Sequence, residues 1–165
     1  GKPQSAVGYM SLHQHDINAM PLWTYFQSVL RWAMDTFNMK KFKKIMKGLD
    51  WAKFYDEYHE KVLDIKGMEK LIIDLVGDDE IQKQQGIIPY VLTGDEHYLD
   101  LRAFPDKIKL AVWEKQNHKC AICGKEFDYQ FMEGDHISPW RDGGRTEVKN
   151  CQMLCRDCNR RKGSK

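Results

Sequence analysis

Cys120-Ala121-Ile122-Cys123, then Asp135-His136-Ile137-Ser138-Pro139-Trp140, then Asn150, then Cys155-Arg156-Asp157-Cys158-Asn159 follow one another in the last third of the chain. Each Cys-x-x-Cys knuckle offers two thiolates from one tight turn, and four thiolates complete one tetrahedral zinc. The 31 residues between the knuckles are enough for a hairpin and the start of a helix. Zinc bound by Cys120, Cys123, Cys155 and Cys158 would staple a small unit together and leave His136 and its neighbours free for chemistry. Working outward, the expected fold class is α+β and mainly α. A helical N-terminal domain precedes a small module stapled by a structural zinc.

Composition narrows the setting. A chain of 165 residues suits one compact domain or two small ones. No apolar run is long enough to cross a membrane and no signal-peptide pattern is present, so no membrane partner is expected. Five cysteines, four of them in paired knuckles, point to metal in a reducing compartment rather than to disulfides, and the expected location is cytoplasmic. The opening residues Gly1-Lys2-Pro3 lack an initiator Met, which suggests a processed or excised piece of a longer protein.

The net charge of +2 is unevenly spread. Residues 141–165 hold eight basic side chains (Arg141, Arg145, Lys149, Arg156, Arg160, Arg161, Lys162, Lys165) against three acids, Asp142, Glu147 and Asp157. That segment is +5 and leaves −3 for residues 1–140. A basic patch beside the candidate site is what a polyanionic substrate requires; a solvated charged tail is the plainer alternative.

Along the chain, residues 1–20 are polar and read as an irregular N-terminal arm. From Pro21 a helical period begins, with Leu22, Phe26, Val29, Leu30, Ala33 and Phe37 recurring on one face. A second helix carries Phe42, Ile45 and Met46 on one side and lysines on the other; Gly48 ends it, and Asp50 caps a helix from Trp51. A further helix is expected over about 68–76, closed by Gly77. Over 87–92, Pro89 argues against a central strand and for a short helix. These aromatic and apolar stripes read as core packing, with a base-stacking platform as the alternative. His13, His15, His59, His97 and His118 read as surface or core residues. A boundary near 94–100 divides a helical domain (21–100) from a second domain (101–165). The latter opens with a helix from about Asp106 to Gln116 whose Ile108, Val112 and Leu110 face inward.

Asp135-His136, Asn150 and Asn159, set between the zinc knuckles with Pro139 and the Gly143-Gly144 turn, resemble the HNH nuclease motif in its H-N-N form on a ββα-metal (His-Me) finger. The likeness covers roughly residues 102–165. One departure is Asn159, which follows the last cysteine where many HNH enzymes carry His. Segments such as Leu22-Trp23, Trp32, Leu49-Asp50-Trp51 and Leu101-Arg102-Ala103-Phe104 also resemble the helical region before the HNH module in bacterial defence proteins with a ParB-like N-terminal domain. Those proteins are related to GmrSD-type restriction systems. The chain would then be a C-terminal fragment that lacks its ParB-like domain.

Residues 127–133 read as a first strand, with Asp135 and His136 on or beside the second. His136 is the candidate general base, since an imidazole can be neutral near pH 7 and take a proton from the attacking water. Asp135 offers a hard anionic oxygen and Asn159 an amide oxygen, a pair suited to Mg²⁺ or Mn²⁺, with Ni²⁺ also tolerated. The family resemblance implies that Asn150 supports the loop geometry and that products carry 5′-phosphate and 3′-hydroxyl ends. Asn159 is read as opening the last helix directly after Cys158. Arg141, Arg145, Lys149, Arg160, Arg161 and Lys162 are candidate phosphate contacts. Cys151, the odd cysteine, reads as a small buried side chain rather than a fifth ligand. The expected activity is metal-dependent hydrolysis of DNA, double-stranded in a restriction or antiviral defence setting. A non-catalytic zinc-ribbon DNA-binding module and an RNA-directed nuclease are the alternatives.

Overall fold

A computed structural model describes residues 11–163 of the chain, and the first part is built from short helices. Helix α1 (Met20–Thr36) has Pro21 in its first turn, where the missing N–H has no helical partner to lose. Its buried face runs through Val29, Ala33 and Thr36 and on to Phe37, whereas Leu22, Phe26 and Leu30 stay 42–47% exposed. That differs from the expected face because α1 is covered mainly by one neighbour, the third helix. Residues 1–10 of the expected irregular arm lie outside the described residues; of its remainder, 11–13 are helical and 14–19 form turns and bends.

Helix α2 (Met39–Met46) is capped by Asn38 and buries Phe42, Ile45 and Met46 while its lysines face solvent. Helix α3 (Trp51–Tyr58) is capped by Asp50, whose carboxylate accepts the Lys53 N–H at 3.2 Å. Helix α4 (Ile65–Val76) starts about three residues earlier than its apolar period suggests. Gly67 donates its N–H to the Asp64 cap at 3.0 Å and so belongs to the first turn. Helix α5 (Ile87–Thr93) holds Pro89 at its third position, again within the first turn. No helix among the described residues is long and apolar enough to cross a membrane.

Two apolar clusters form. One gathers Phe37, Phe42, Ile45, Met46, Ile72, Leu75, Ile81, Ile87, Ile88 and Leu99, with Trp32 and Trp51 packed on it. Trp32, Trp51 and Phe37 meet ring to ring, so these aromatics serve as core. The other cluster joins Phe104 and Val112 to Met132, Met153, Leu154 and the buried cysteines. Helix α6 (Asp106–Lys115) supplies Val112 and, at its edge, Ile108, while Leu110 is 48% exposed rather than inward.

A two-stranded antiparallel sheet completes this second part. Strand β1 is Met132–His136 and β2 is Cys151–Cys155, in a register that pairs His136 with Cys151 and Met132 with Cys155. Asp135 and His136 therefore lie on the first strand, not the second. Residues 127–131 are not strand: Phe127 is tied back to the first knuckle and α6, its N–H bonding the His118 carbonyl at 2.9 Å and its carbonyl the Trp113 indole at 3.0 Å. A single turn at Tyr129–Phe131 follows before β1 begins. Helix α7 (Arg156–Gly163) packs on both strands and begins at Arg156, so Asn159 is its fourth residue rather than its first.

Candidate active site

The knuckles converge as their spacing implies. The Sγ atoms of Cys120, Cys123, Cys155 and Cys158 all lie within 4.8 Å of one another, and those of Cys123 and Cys155 are 4.0 Å apart. Sulfurs at about 2.3 Å from one tetrahedral zinc stand roughly 3.8 Å apart, so the donor set fits that ion. Backbone geometry prepares the site: Gly124, at φ +69°, closes the first turn and donates to the Cys120 carbonyl at 2.9 Å. Burial opposes ionisation of the Cys120 thiol, but N–H groups of Cys123, Cys155 and Ile122 outweigh it and bring it down to about 6. Burial pushes the Cys155 thiol up to about 12. The Cys120 thiolate is thus favoured, and a bound dication would offset the burial that opposes ionisation of Cys155. Cys151 is buried outside this cluster, and burial first, then Asp135, pushes its thiol up to about 11.

The loop 137–150 joins β1 to β2 and is closed by Asn150, which is 8% exposed. Its Oδ1 accepts the Ser138 N–H at 2.8 Å, and its Nδ2 donates to the carbonyls of Ser138 at 3.1 Å and Arg145 at 3.0 Å. The Asn150 carbonyl also accepts the Ile137 N–H at 2.9 Å. Gly144 is required at this crossing, because a Cβ there would stand 1.9 Å from the Ser138 carbonyl oxygen. Asn150 therefore holds the loop.

His136 ends β1 half-buried, its ring 4.3 Å from that of Phe104 and its Nε2 3.1 Å from the Thr146 hydroxyl. Burial keeps the imidazole below its ordinary range; Asp135 and Glu80 pull the other way without prevailing, and Lys162 adds to the lowering. Burial thus favours the uncharged ring. Gly134, on the same strand face, leaves room for Lys109, whose Cγ would stand 2.8 Å from an added Cβ.

Asp135 and Glu133 project from the other face of β1, toward α7. The Asp135 carboxylate accepts Gln152 Nε2 at 2.8 Å and the Lys162 ammonium, which also donates to the His136 carbonyl. Asn159 donates its Nδ2 to Glu133 at 2.7 Å. Only the NH₂ group can face a carboxylate, so Oδ1 is left as the acceptor. A carboxylate and an amide oxygen are donors of the hard type that a small divalent cation takes, but here Asp135 is engaged by Gln152 and Lys162 and Asn159 by Glu133.

A cleft of about 600 Å³ is lined by Asp135, His136 and Lys162 together with Glu96, Arg102 and Phe104, whereas Asn159 and Asn150 do not line it. Several of the basic residues are engaged within the protein. Arg145 pairs with Asp78 at 2.6 Å, Arg141 with Glu96 at 3.9 Å and Lys149 with Glu147 at 3.0 Å. Arg161 Nη2 lies 3.2 Å from Cys158 Sγ, while Arg160 is exposed on α7. Burial works to raise the Asp78 carboxyl, but the Glu80 N–H, the Trp140 indole and Arg145 together hold it below the usual range. Arg145 in this arrangement secures the loop. Glu80, Glu133, Thr146 and Gln152 touch the site although no motif or spacing singles them out, and Phe104 does so from a segment marked only by its resemblance to a helical region.

A family model described as HNH endonuclease matches residues 120–165. No curated protein and no solved structure matches the chain.

Proposed function

We propose that this chain is a metal-dependent endonuclease that hydrolyses phosphodiester bonds of DNA, with His136 as the general base. The observation that carries the reading is the position of His136. A half-buried imidazole, whose burial favours its uncharged form, ends β1 beside Asp135 at the rim of the cleft, within the segment similar to HNH endonucleases. His136 takes a proton from water attacking the phosphorus; Asn150 keeps its loop in place, and Lys162 offers positive charge at the same rim. Asp135 and the Asn159 amide oxygen would hold a divalent cation such as Mg²⁺ or Mn²⁺, which would supply charge stabilisation at the scissile phosphate. Zinc on the four cysteines does no chemistry here. Bound there, it would tie the first knuckle to the junction of β2 and α7, the helix that carries Asn159 and Lys162.

Double-stranded DNA as substrate, a restriction or antiviral defence setting, a cytoplasmic location and a ParB-like domain as partner are parts of the same proposal. The substrate and setting rest on the HNH likeness and the basic C-terminal segment, the location on the metal-type pairing of four of the five cysteines, and the ParB-like domain on the resemblance of the helical segments. Incubating the zinc-loaded protein with duplex DNA, single-stranded DNA and RNA in Mg²⁺ or Mn²⁺, and identifying the product ends, tests it. Cleavage of duplex DNA to 5′-phosphate and 3′-hydroxyl ends is expected. RNA cleavage alone would replace the substrate, and binding without cleavage in any of these metals would replace the activity.

A further inference from the structure

Glu80 is 7% exposed and sits just past α4, in the helical part of the chain, yet its carboxylate is spent on the loop of the other part. One oxygen accepts the Thr146 N–H at 3.0 Å and the other accepts the Thr146 hydroxyl. The same hydroxyl oxygen lies 3.1 Å from His136 Nε2 and 3.0 Å from the Arg102 carbonyl oxygen. A threonine hydroxyl has one proton to give and two lone pairs to receive. Three acceptors compete for that proton: a carboxylate, a carbonyl and an imidazole nitrogen. A charged acceptor makes the stronger bond, so the proton goes to Glu80. Toward His136 the oxygen can then only accept, which requires an N–H at Nε2.

We infer that Glu80 and Thr146 are positioning residues that lock His136 in the Nε2–H tautomer and leave Nδ1 as its proton acceptor. The inference deepens the nuclease reading and rests on it for its catalytic consequence. Phe104, packed on the imidazole, restrains the ring from turning over. Asp78, two residues before Glu80, takes the Trp140 indole N–H at 2.9 Å and Arg145 at 2.6 Å, so segment 78–80 grips the loop at three places. The helical part thereby supplies a component of the active site that the residues similar to HNH endonucleases do not contain.

The test uses the zinc-loaded full chain. Heteronuclear NMR of the imidazole nitrogens, with His136→Ala to assign the signal, reads the tautomer without reference to cleavage. Duplex-DNA cleavage in Mg²⁺ gives kcat and KM for Thr146→Val, Thr146→Ser and Glu80→Gln. His136 is expected as a single Nε2–H tautomer in the wild type and as a mixture in Thr146→Val. The Val variant and Glu80→Gln should each lose about 10-fold to 100-fold in kcat at unchanged KM and zinc content, and Ser should restore the rate. An Nδ1–H tautomer in the wild type would overturn the inference, as would a Thr146→Val protein with the wild-type tautomer and kcat. A wild type that is locked as Nε2–H, loosens in Thr146→Val and cuts no DNA would uphold the hydrogen-bond assignment and sink the nuclease reading instead.

Discussion

Replacing Asn150 with alanine removes three side-chain hydrogen bonds at once, to the Ser138 N–H and to the carbonyls of Ser138 and Arg145. Each such bond contributes about 1 kcal/mol net, and a buried partner left unpaired costs more. Ser138 and Arg145 are exposed, so water can reach part of what is uncovered. The expected destabilisation is therefore about 2–3 kcal/mol, equivalent to roughly 5–10 °C in melting temperature for a chain of this size. Urea unfolding at fixed free zinc measures it, and an unchanged denaturant slope would keep the loss in the folded state. Asn150→Asp sharpens the test. It keeps an acceptor for the Ser138 N–H but turns a second oxygen toward two carbonyls, so it should cost at least as much as alanine. A loss below about 0.5 kcal/mol in both variants would refute the clamp, since that is the ordinary range of an uninvolved surface change.

Other outcomes follow from the same geometry. Cys123→Ser should abolish zinc binding and unfold the C-terminal part, whereas Cys151→Ala should still hold one zinc per chain by metal analysis and cost about 1 kcal/mol as a small buried side chain. Trp140→Phe, which deletes the indole bond to Asp78 while keeping the ring, should cost about 1 kcal/mol in the same unfolding assay. The His136 imidazole titrates below its usual 6.5, so it stays neutral as pH falls past that value; cleavage should hold through pH 6.5 and be lost only on the acid side of it. The sign for stability agrees. Between the two values the unfolded chain binds the extra proton, so this group's contribution is full above 6.5 and declines as pH falls below it.

Local chemistry made much of this legible in the sequence. Pro21, Asp50 and Gly77 mark helix ends because capping depends on neighbours a few residues away. Paired cysteines announce their cluster because metal geometry fixes ligand type and spacing. The strand shift from 127–133 to Met132–His136 was not legible, since Phe127 is tied to His118 and Trp113 by tertiary bonds that no alternation pattern encodes. Nor was the exposed side of α1, where periodicity finds the apolar residues but not how few neighbours cover them. Glu80 and Thr146 are 66 positions apart, and their contact exists only once the two parts of the chain pack together.

The most direct test of the nuclease reading compares wild type and His136→Ala on supercoiled plasmid, both zinc-loaded, with Mg²⁺ or Mn²⁺ and with EDTA. Wild-type cutting should vanish with EDTA and fall by about 100-fold or more in the alanine variant, while that variant keeps its zinc and its fold. Equal cutting by the two proteins would remove His136 from the chemistry, and no cutting by either, with DNA binding intact, would leave a binding module in place of an enzyme.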